Sequence, residues 1–283
     1  MNKHTRAMFL LVLLVLGLSD RSLLGASAPL TAEPRHLRPA TEAEASVLVK
    51  VRGPGVCSGA PVLGTPFVIT AAHCVVERGT GKVGSRYDLR VERDGIRYDI
   101  SSVLFDWSWH PRPGSATSTA TIDATNDVAI LVLKEPIPAP GVSIATQFSG
   151  SAPITMIGFQ PLQAGGDWLR GSSYDSVVKS LGTSASNSSS RPAACTSAPA
   201  EFRRTEQASW LVPCGMIPGA SGGPVVVSTP AGGYSLVGVI SGVNLSLTKN
   251  YVAPVEKVHT LLSDPERYRH VLSVPESASS TVS

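Results

Sequence analysis

The 283-residue sequence lacks the features that mark several common classes of protein. Its 24 Lys and Arg residues barely exceed its 21 Asp and Glu residues, and the formal net charge is +3. Removing residues 1–28 takes away Lys3, Arg6, Arg21 and Asp20, which lowers that charge to +1. A chain without a basic excess gives no electrostatic argument for binding nucleic acid or an anionic membrane. We therefore expect no nucleic-acid partner.

A long apolar run is missing as well, and the run near the amino terminus covers only residues 7–18. That length is too short to cross a bilayer comfortably. Lys3 and Arg6 precede the run and residues 26–28 (ASA) follow it, which is the pattern of a cleaved secretory signal peptide. We predict a signal peptide over residues 1–28 and a secreted protein, extracellular or periplasmic. It would meet a membrane only if the leader stayed uncleaved.

The cysteines contain no C-x-x-C pair, which argues against a zinc site. All of them lie in the exported part of the chain, where an even number of cysteines indicates disulfides. They are Cys57, Cys74, Cys195 and Cys214. Four cysteines allow three connectivities, and the residues alone leave all three open.

From residue 45 onward, short apolar runs alternate with turn residues. Residues 89–100 alternate on either side of Asp94-Gly95, a dipeptide that favours a tight hairpin turn. Many short strands and few helical patterns predict an all-β fold. Helical spacing follows Pro254 and predicts a helix over residues 254–263.

Three other segments lack a strand pattern. Residues 29–44 carry Pro, Glu and Arg without periodicity, which predicts an exposed lead-in or a short pro-segment. Residues 183–200 are rich in Ser, Ala and Pro, which predicts a mobile surface loop held near Cys195. The polar residues 272–283 are predicted to form a disordered tail.

Three short motifs carry the functional signal. Residues 219–224 (GASGGP) place Ser221 between glycines before a β-branched run, an arrangement that presents a nucleophile on a tight turn. Residues 70–74 (TAAHC) and 126–131 (NDVAIL) lie upstream. With these motifs in the order His, Asp, Ser, the chain resembles the chymotrypsin/trypsin-like serine peptidases, whose motifs read TAAHC, NDIALL and GDSGGP.

The resemblance covers about residues 45–260 and implies a specific architecture. It implies two antiparallel six-stranded β-barrels, a chymotrypsin-like all-β fold with a C-terminal helix, and a site in the cleft between the barrels. We therefore expect a peptidase domain over residues 45–262, with barrel one at about residues 45–145 and barrel two at about residues 146–253.

The three motifs also contain the groups that acyl transfer needs. A neutral hydroxyl is a poor nucleophile, so a base must take its proton and a buried carboxylate must orient that base. We assign Ser221 as nucleophile, His73 as general base and then general acid, and Asp127 as the orienting carboxylate. Unlike the other five histidines, His73 directly follows an apolar strand. Asp127 precedes a buried strand, whereas its nearest rival, Asp123, lies in a Thr-rich loop.

The family likeness implies roles for residues around these three groups. The backbone N–H groups of Gly219 and Ser221 would bind the developing oxyanion. Ser241 would support the aspartate, and Val243 would hydrogen-bond the substrate main chain. Gly215 would lie at the floor of the specificity pocket, where an acid would be needed to favour Arg or Lys. We therefore expect no trypsin-type preference.

The same likeness suggests how the cysteines pair. It joins Cys57 to Cys74 around the histidine, and the remaining pair, Cys195 and Cys214, closes a short loop ahead of the nucleophile. The family's usual cysteine four residues before the serine is replaced here by Ile217.

A second departure is Ala220, which stands where trypsin-like enzymes usually carry an aspartate just before the serine. In those enzymes the aspartate pairs with a new N-terminal amine after proteolytic activation, and no Ile-Val-Gly-Gly-type start follows an arginine here. A buried aspartate without its cation would be costly, so the two absences agree. We predict that Pro218 and the Cys195–Cys214 bridge order this loop without an amine switch.

The sequence therefore predicts a secreted, monomeric serine endopeptidase that cuts proteins or peptides through an acyl-enzyme and needs no metal or organic cofactor. The alternative is a catalytically silent binding protein on the same fold, which Ala220 and the missing activation start would suit. An α/β-hydrolase esterase is disfavoured, because glycines, a proline and valines follow the serine and start no helix.

Overall fold

Strands dominate the part of the chain that the computed structural model describes, which is residues 37–53, 55–76, 83, 89–106, 108, 124–161, 190–206, 208–244 and 248–272. The predicted signal peptide, residues 183–189 of the predicted loop and residues 273–283 of the predicted tail lie outside these residues. None of the helices in the described part is long and apolar enough to cross a membrane.

The elements are short, as the sequence pattern predicts. In chain order the strands are β1 Arg38–Pro39, β2 Val49–Arg52, β3 Val56–Pro61, β4 Phe67–Thr70, β5 Arg90–Arg93, β6 Ile96–Tyr98, β7 Ile100–Phe105, β8 Ala129–Leu133, β9 Ser143–Ile144, β10 Ile154–Pro161, β11 Ser190–Ser197, β12 Arg203–Arg204, β13 Trp210–Val212, β14 Pro224–Ser228, β15 Tyr234–Val243, β16 Asn250–Pro254 and β17 Arg269–Val271. The helices are α1 Glu42–Ser46, α2 Val255–Ser263 and α3 Pro265–Tyr268, with 3₁₀ turns at Ala72–Cys74 and Pro199–Glu201.

These strands form two curled, antiparallel sheets, which confirms the predicted fold class. The first sheet has the order β17-β7-β8-β4-β3-β2-β5-β6, and the second has the order β1-β11-β10-β14-β15-β16-β13-β12. Strand β9 adds to the second sheet by pairing in parallel with β15. In the described part of the chain the sheets contain eight and nine strands instead of six each, and six of these strands are only two or three residues long.

The register of β4 and β8 decides where the first sheet presents its polar residues. Thr70 pairs with Ala129 and Ile69 pairs with Ile130. The chain leaving β4 and the chain entering β8 therefore meet at the same end of an antiparallel pair. This register brings His73 and Asp127 together, although 54 residues separate them in sequence.

The hairpin predicted over residues 89–100 is confirmed. Strands β5 and β6 pair in antiparallel fashion on either side of the predicted turn. Asp94 has a φ of 51° and Gly95 a φ of 79°. Positive φ at both central residues is the type I′ geometry that suits the right-handed twist of a hairpin.

Buried aliphatic side chains pack against each sheet, and helix α2 joins the larger of the two core clusters in the described part of the chain. In β2, Val49 and Val51 are buried whereas Lys50 and Arg52 are half-buried, which is the alternation expected of a strand with one face in a core. Helix α2 buries Val255, Val258 and Leu261, and it contacts β8 and β15. It therefore packs on both sheets.

The structure differs from two of the sequence-based expectations. Within the segment 29–44, Arg38–Pro39 pairs with β11 and Glu44 is buried, so residues 37–44 belong to the fold and are not an exposed lead-in. Within the segment 183–200, residues Ser190–Ser197 form β11 and pair with β10 over eight residues. The prediction of a surface loop there was wrong, because ladder hydrogen bonds and burial outweigh a Ser- and Pro-rich composition.

Candidate active site

His73 lies in the 3₁₀ turn Ala72–Cys74, directly after β4. The next residue, Cys74, is bonded to Cys57 of β3, which ties this turn to the neighbouring strand. The His73 side chain is 12% exposed. The imidazole is therefore held firmly, with only a small part of its surface open to solvent.

Asp127 is fully buried, and each hydrogen bond described for its carboxylate comes from His73 or Ser241. One carboxylate oxygen, Oδ2, lies 2.8 Å from His73 Nδ1 and accepts a hydrogen bond of 2.5 Å from Ser241 Oγ. The other oxygen accepts from the backbone N–H of His73 at 2.9 Å. Because a carboxylate only accepts, Nδ1 carries the ring proton in the neutral imidazole and Nε2 is the basic nitrogen.

The charge on Asp127 follows from these contacts. Burial alone would raise the pKa of this carboxyl, but the adjacent His73 and the hydrogen bonds from His73 and Ser241 outweigh burial and lower the pKa below its usual value. The group is therefore a carboxylate at neutral pH. A fixed negative charge at Nδ1 can stabilise an imidazolium formed beside it.

Ser221 follows a turn that begins at Ile217. The N–H of Ala220 donates to the carbonyl oxygen of Ile217 at 3.2 Å, and Gly219 has a φ of 111°. Positive φ at the third residue of a four-residue turn is characteristic of type II, and proline favours the second position, which is Pro218 here. The sequence Pro-Gly thus explains the shape of this loop.

Ser221 and His73 both lie beside the Cys57–Cys74 disulfide. Cys74 Sγ is 3.7 Å from His73 Nε2 and 3.7 Å from the carbonyl oxygen of Ser221. The N–H of Ser58 donates to the same carbonyl oxygen at 2.8 Å. The structure therefore brings all three predicted reacting residues to one place, and Ser221 is partly exposed there.

The two predicted oxyanion donors are not used elsewhere in the described part of the chain. Among its hydrogen bonds, none has the N–H of Gly219 or of Ser221 as donor. Both residues are partly exposed, so water or a substrate can reach them. N–H groups of this kind can bind an oxyanion without first breaking a bond within the protein.

Ala220 is fully buried and packs against Gly158 of β10. A Cβ at position 158 would lie 2.7 Å from the Ala220 Cβ, so a larger side chain at either position would have to displace the loop. Position 220, where the family usually carries an aspartate, is therefore apolar and tightly packed.

Two buried amide side chains contact the loop, and neither was predicted from the sequence. Gln160 of β10 bonds the backbone of Ile217, and Asn250 of β16 bonds the backbone of Met216. Each is at most 1% exposed. The only available signal was an amide inside an otherwise apolar or strand-like segment, which does not by itself indicate a partner.

Of the predicted substrate-binding residues, Ser241 and Val243 lie in β15 and Gly215 lies in the chain that leads to the loop. Ser241 and Val243 both belong to the last residues of β15, where Val243 pairs with Asn250 of β16 and Ser241 lies at the register shift between Ile240 and Gly242. On the other side of β15, the pairing with β14 ends at Val239, so no described strand covers residues 241–243 there. Gly215, with a φ of 65°, follows Cys214 and precedes Met216 in the chain leading to the loop.

The predicted disulfides Cys57–Cys74 and Cys195–Cys214 are both present. The ligand atoms of Cys57, His73 and Cys74 lie within 4.8 Å of one another, a distance that would suit a metal ion. Since the two sulfurs are bonded to each other, neither is the thiolate that a metal needs. This cluster therefore offers a metal only the imidazole.

Known proteins resemble this chain both in sequence and in fold. The sequence matches the Trypsin family over residues 35–262, which is more than half of the chain. No curated protein matches it significantly. Among solved structures, that of the thermostable serine protease AL20 from an extremophilic microorganism superposes with a TM-score of 0.54 at 16% identity, covering 77% of this chain and 95% of that chain. Protease Anisep from Arthrobacter nicotinovorans gives a TM-score of 0.52 at 15% identity, covering 77% and 93%. Both neighbours share the fold with this chain.

Proposed function

We propose that this chain, which belongs to the trypsin-like serine protease family, is an endopeptidase that uses Ser221 as nucleophile, His73 as general base and Asp127 as orienting carboxylate. The observation that carries the proposal is the set of hydrogen bonds at Asp127. That carboxylate bonds the ring and the backbone of His73 and also Ser241, while it has no exposure to solvent. Such an arrangement stabilises the tautomer in which Nε2 faces away from the carboxylate and can accept a proton.

The proposed reaction proceeds in two acyl-transfer steps. His73 Nε2 takes the proton of the Ser221 hydroxyl as its oxygen bonds to the scissile carbonyl carbon. The carbonyl oxygen becomes an oxyanion, to which the N–H groups of Gly219 and Ser221 donate. The imidazolium then gives its proton to the leaving amine as the C–N bond breaks. Water, deprotonated by the same imidazole, hydrolyses the acyl-enzyme and restores Ser221.

We further propose that the open side of residues 241–243 binds the substrate main chain as an added strand. The backbone of Val243 would provide hydrogen bonds, because an uncovered strand edge is suited to pairing with an extended peptide. Gly215 would leave the pocket floor without a charge. These assignments extend the proposal to proteins or peptides as substrates.

Export is part of the proposal as well. Two disulfides fit an extracellular location, because thiols in the cytosol are kept reduced. A signal peptide over residues 1–28 would deliver the chain there. Each catalytic side chain lies within the matched region, so a single mature chain would suffice as a monomer.

The test is to treat the purified, exported chain with a fluorophosphonate probe and, in parallel, with a mixed peptide pool. We expect the probe to label Ser221 and the pool to be cut at internal bonds, and both activities to vanish in Ser221→Ala. A folded wild-type chain that neither reacts nor cleaves would instead be the silent binding protein, and the proposal would be rejected.

A further inference from the structure

We propose that Gln160 and Asn250 are positioning residues that hold the oxyanion loop, defined as residues 216–221, in its reactive geometry without an activation cleavage. This inference rests on the proposed function, because it assigns a task at the same site. Gln160 lies in β10 and Asn250 begins β16, so the loop is held from two strands of the second sheet.

Gln160 binds both polar groups of Ile217. Its Oε1 accepts from the Ile217 N–H at 3.3 Å, and its Nε2 donates to the Ile217 carbonyl oxygen at 3.4 Å. The side chain thus pairs with one residue as a neighbouring strand would. At 1% exposure, Gln160 has no water to replace these bonds, so losing them would leave buried polar groups unsatisfied.

Asn250 binds both backbone polar groups of Met216, the residue before Ile217. Its Oδ1 accepts from the Met216 N–H at 2.8 Å, and its Nδ2 donates to the Met216 carbonyl oxygen at 2.7 Å. The same Nδ2 also donates to the carbonyl oxygen of Gly242 in β15, at 3.0 Å. One buried amide therefore connects the start of the oxyanion loop to the strand proposed to bind substrate.

Fixing Ile217 determines the direction of a catalytic N–H. Ile217 is the first residue of the turn that Ala220 closes, and the peptide between Pro218 and Gly219 is the central peptide of that turn. Type I and type II turns differ by about 150° in the ψ of the second residue, which rotates this central peptide. The Gly219 N–H belongs to it. A free Ile217 would allow the peptide to rotate and the donor to leave the oxyanion position.

The two amides contact the loop in which this chain departs from its family. Ile217 replaces a cysteine and Ala220 replaces an aspartate, so a disulfide at one position and an ion pair at the other are not available to order the loop. Neutral amides need no partner charge and no new amino terminus. The Pro218 and disulfide explanation predicted from the sequence is thus supplemented by side-chain bonds to the loop backbone itself.

The experiment compares Gln160→Met and Asn250→Leu with wild type and with Ser209→Ala. Methionine and leucine keep approximate size but form no such hydrogen bonds. Ser209 is a matched control, since it is also 1% exposed and its hydroxyl pairs only with Thr205 among the hydrogen bonds described. Each variant is measured for melting temperature, for kcat and KM on a peptide ester, and for its rate of fluorophosphonate labelling.

We expect Gln160→Met to lose about 10²-fold in kcat and labelling rate, comparable to losing one oxyanion donor, with KM changed much less. Affinity for a peptide aldehyde, which forms an oxyanion adduct, should fall in parallel, whereas Ser209→Ala should keep its kcat. Asn250→Leu should lose kcat similarly and raise KM, because it also contacts Gly242.

The proposal is overturned if folded Gln160→Met reacts at nearly the wild-type rate, or if its loss equals that of Ser209→Ala at equal stability. If Gln160→Met does not fold, Gln160→Leu, which also lacks both hydrogen-bonding groups, takes its place under the same criteria. A wild-type chain that fails to label would reject the proposed function itself. A wild-type chain that labels beside an unaffected Gln160→Met would reject only this inference.

Discussion

The hydroxyl of Ser58 in the first sheet donates to the carbonyl oxygen of Gly219, in the loop between β13 and β14 of the second sheet, at 2.7 Å. The same hydroxyl accepts from the N–H of Phe159 at 2.9 Å, and Ser58 is fully buried. Thr70 Oγ1 in turn donates to the Ser58 carbonyl oxygen at 2.8 Å. One small side chain thus connects the sheet whose strand β4 leads to His73 to the loop that carries Ser221, the proposed nucleophile.

Replacing Ser58 by alanine should remove this link between the first sheet and the loop that contains Gly219. We expect Ser58→Ala to lower stability by about 1–3 kcal/mol, because the Gly219 carbonyl and the Phe159 N–H lose a buried partner. It should also lower kcat by about 10-fold or more, since Gly219 is a proposed oxyanion donor. Ser101→Ala is the control, because Ser101 makes the same kind of bond to Val132 but is exposed. Equal losses in both variants would contradict the expectation.

Replacing Asp127 by asparagine should abolish most of the catalysis and keep the fold. An amide in this position can donate to Nδ1, which favours the wrong tautomer of His73 and removes the charge that stabilises the imidazolium. The expected loss in kcat is about 10⁴-fold. Asp99→Asn, at an exposed acid paired with Lys134, should leave kcat unchanged. The measurement is kcat and KM on one peptide, and retention of kcat in Asp127→Asn would refute the assignment.

Activity should not depend on a defined amino terminus. Chains that begin at residue 29, 33 or 37 should show the same kcat/KM, and acetylating the α-amine should change nothing, because Ala220 offers an amine no carboxylate. A chain that begins at residue 45 should melt at a lower temperature, since it lacks β1 and the start of α1. An absolute requirement for one starting residue would show that an amine switch exists.

Acid should destabilise the conformation of the segment 37–46. Arg38 binds both carboxylate oxygens of Glu44 at 2.6 and 2.7 Å, and the Glu44 carboxylate accepts from the Thr41 N–H. Burial would raise the pKa of Glu44, but the bonds from Arg38 and Thr41 outweigh burial and lower it. A lowered folded-state pKa means that this stabilisation is complete above the unfolded pKa and is lost as the pH falls through the folded pKa.

The check is the melting temperature of wild type and Glu44→Gln between pH 7 and pH 3. Other carboxylates with lowered pKa values, including Glu92 and Asp127, also contribute to the wild-type curve. The difference between the two proteins isolates Glu44. We expect that difference to shrink as the pH falls, and a constant difference would disprove the linkage.

Cleavage specificity should lack a preference for basic residues. Gly215, at the proposed pocket floor, carries no acid, and Met216 beside it is buried and apolar. We expect a peptide library to be cut after neutral side chains, with Gly215→Asp increasing cleavage after Arg or Lys. Strong cleavage after Arg or Lys by the wild-type chain would show that another acid lines the pocket.

Local patterns in the sequence were sufficient for the features that depend on near neighbours. The Asp94-Gly95 turn needs positive φ at both positions, and that requirement is visible in the residues themselves. The short apolar runs predicted an all-β chain, and the motifs around His73, Asp127 and Ser221 pointed to the family. The disulfide pairs followed from the likeness, and both are present.

The sequence was misleading where pairing outweighs composition. Ser190–Ser197 is rich in small and polar residues, yet it lies between β1 and β10 as a strand. Residues 37–44 carry no periodic pattern, yet Arg38–Pro39 pairs with β11, and the bond between Arg38 and Glu44 stabilises the segment internally. In neither case can the partner strand be identified from the segment itself.

The sequence by itself determined which side chains could perform the chemistry, because residue type and local spacing decide what can be a nucleophile, a base or a tight turn. Only the tertiary structure decided what holds them. Ser58 lies 161 residues from Gly219, and Ser241 lies 114 residues from Asp127. Gln160 and Asn250 reach Ile217 and Met216 across 57 and 34 residues. Such bonds arise from strand register and sheet packing, which no local pattern encodes.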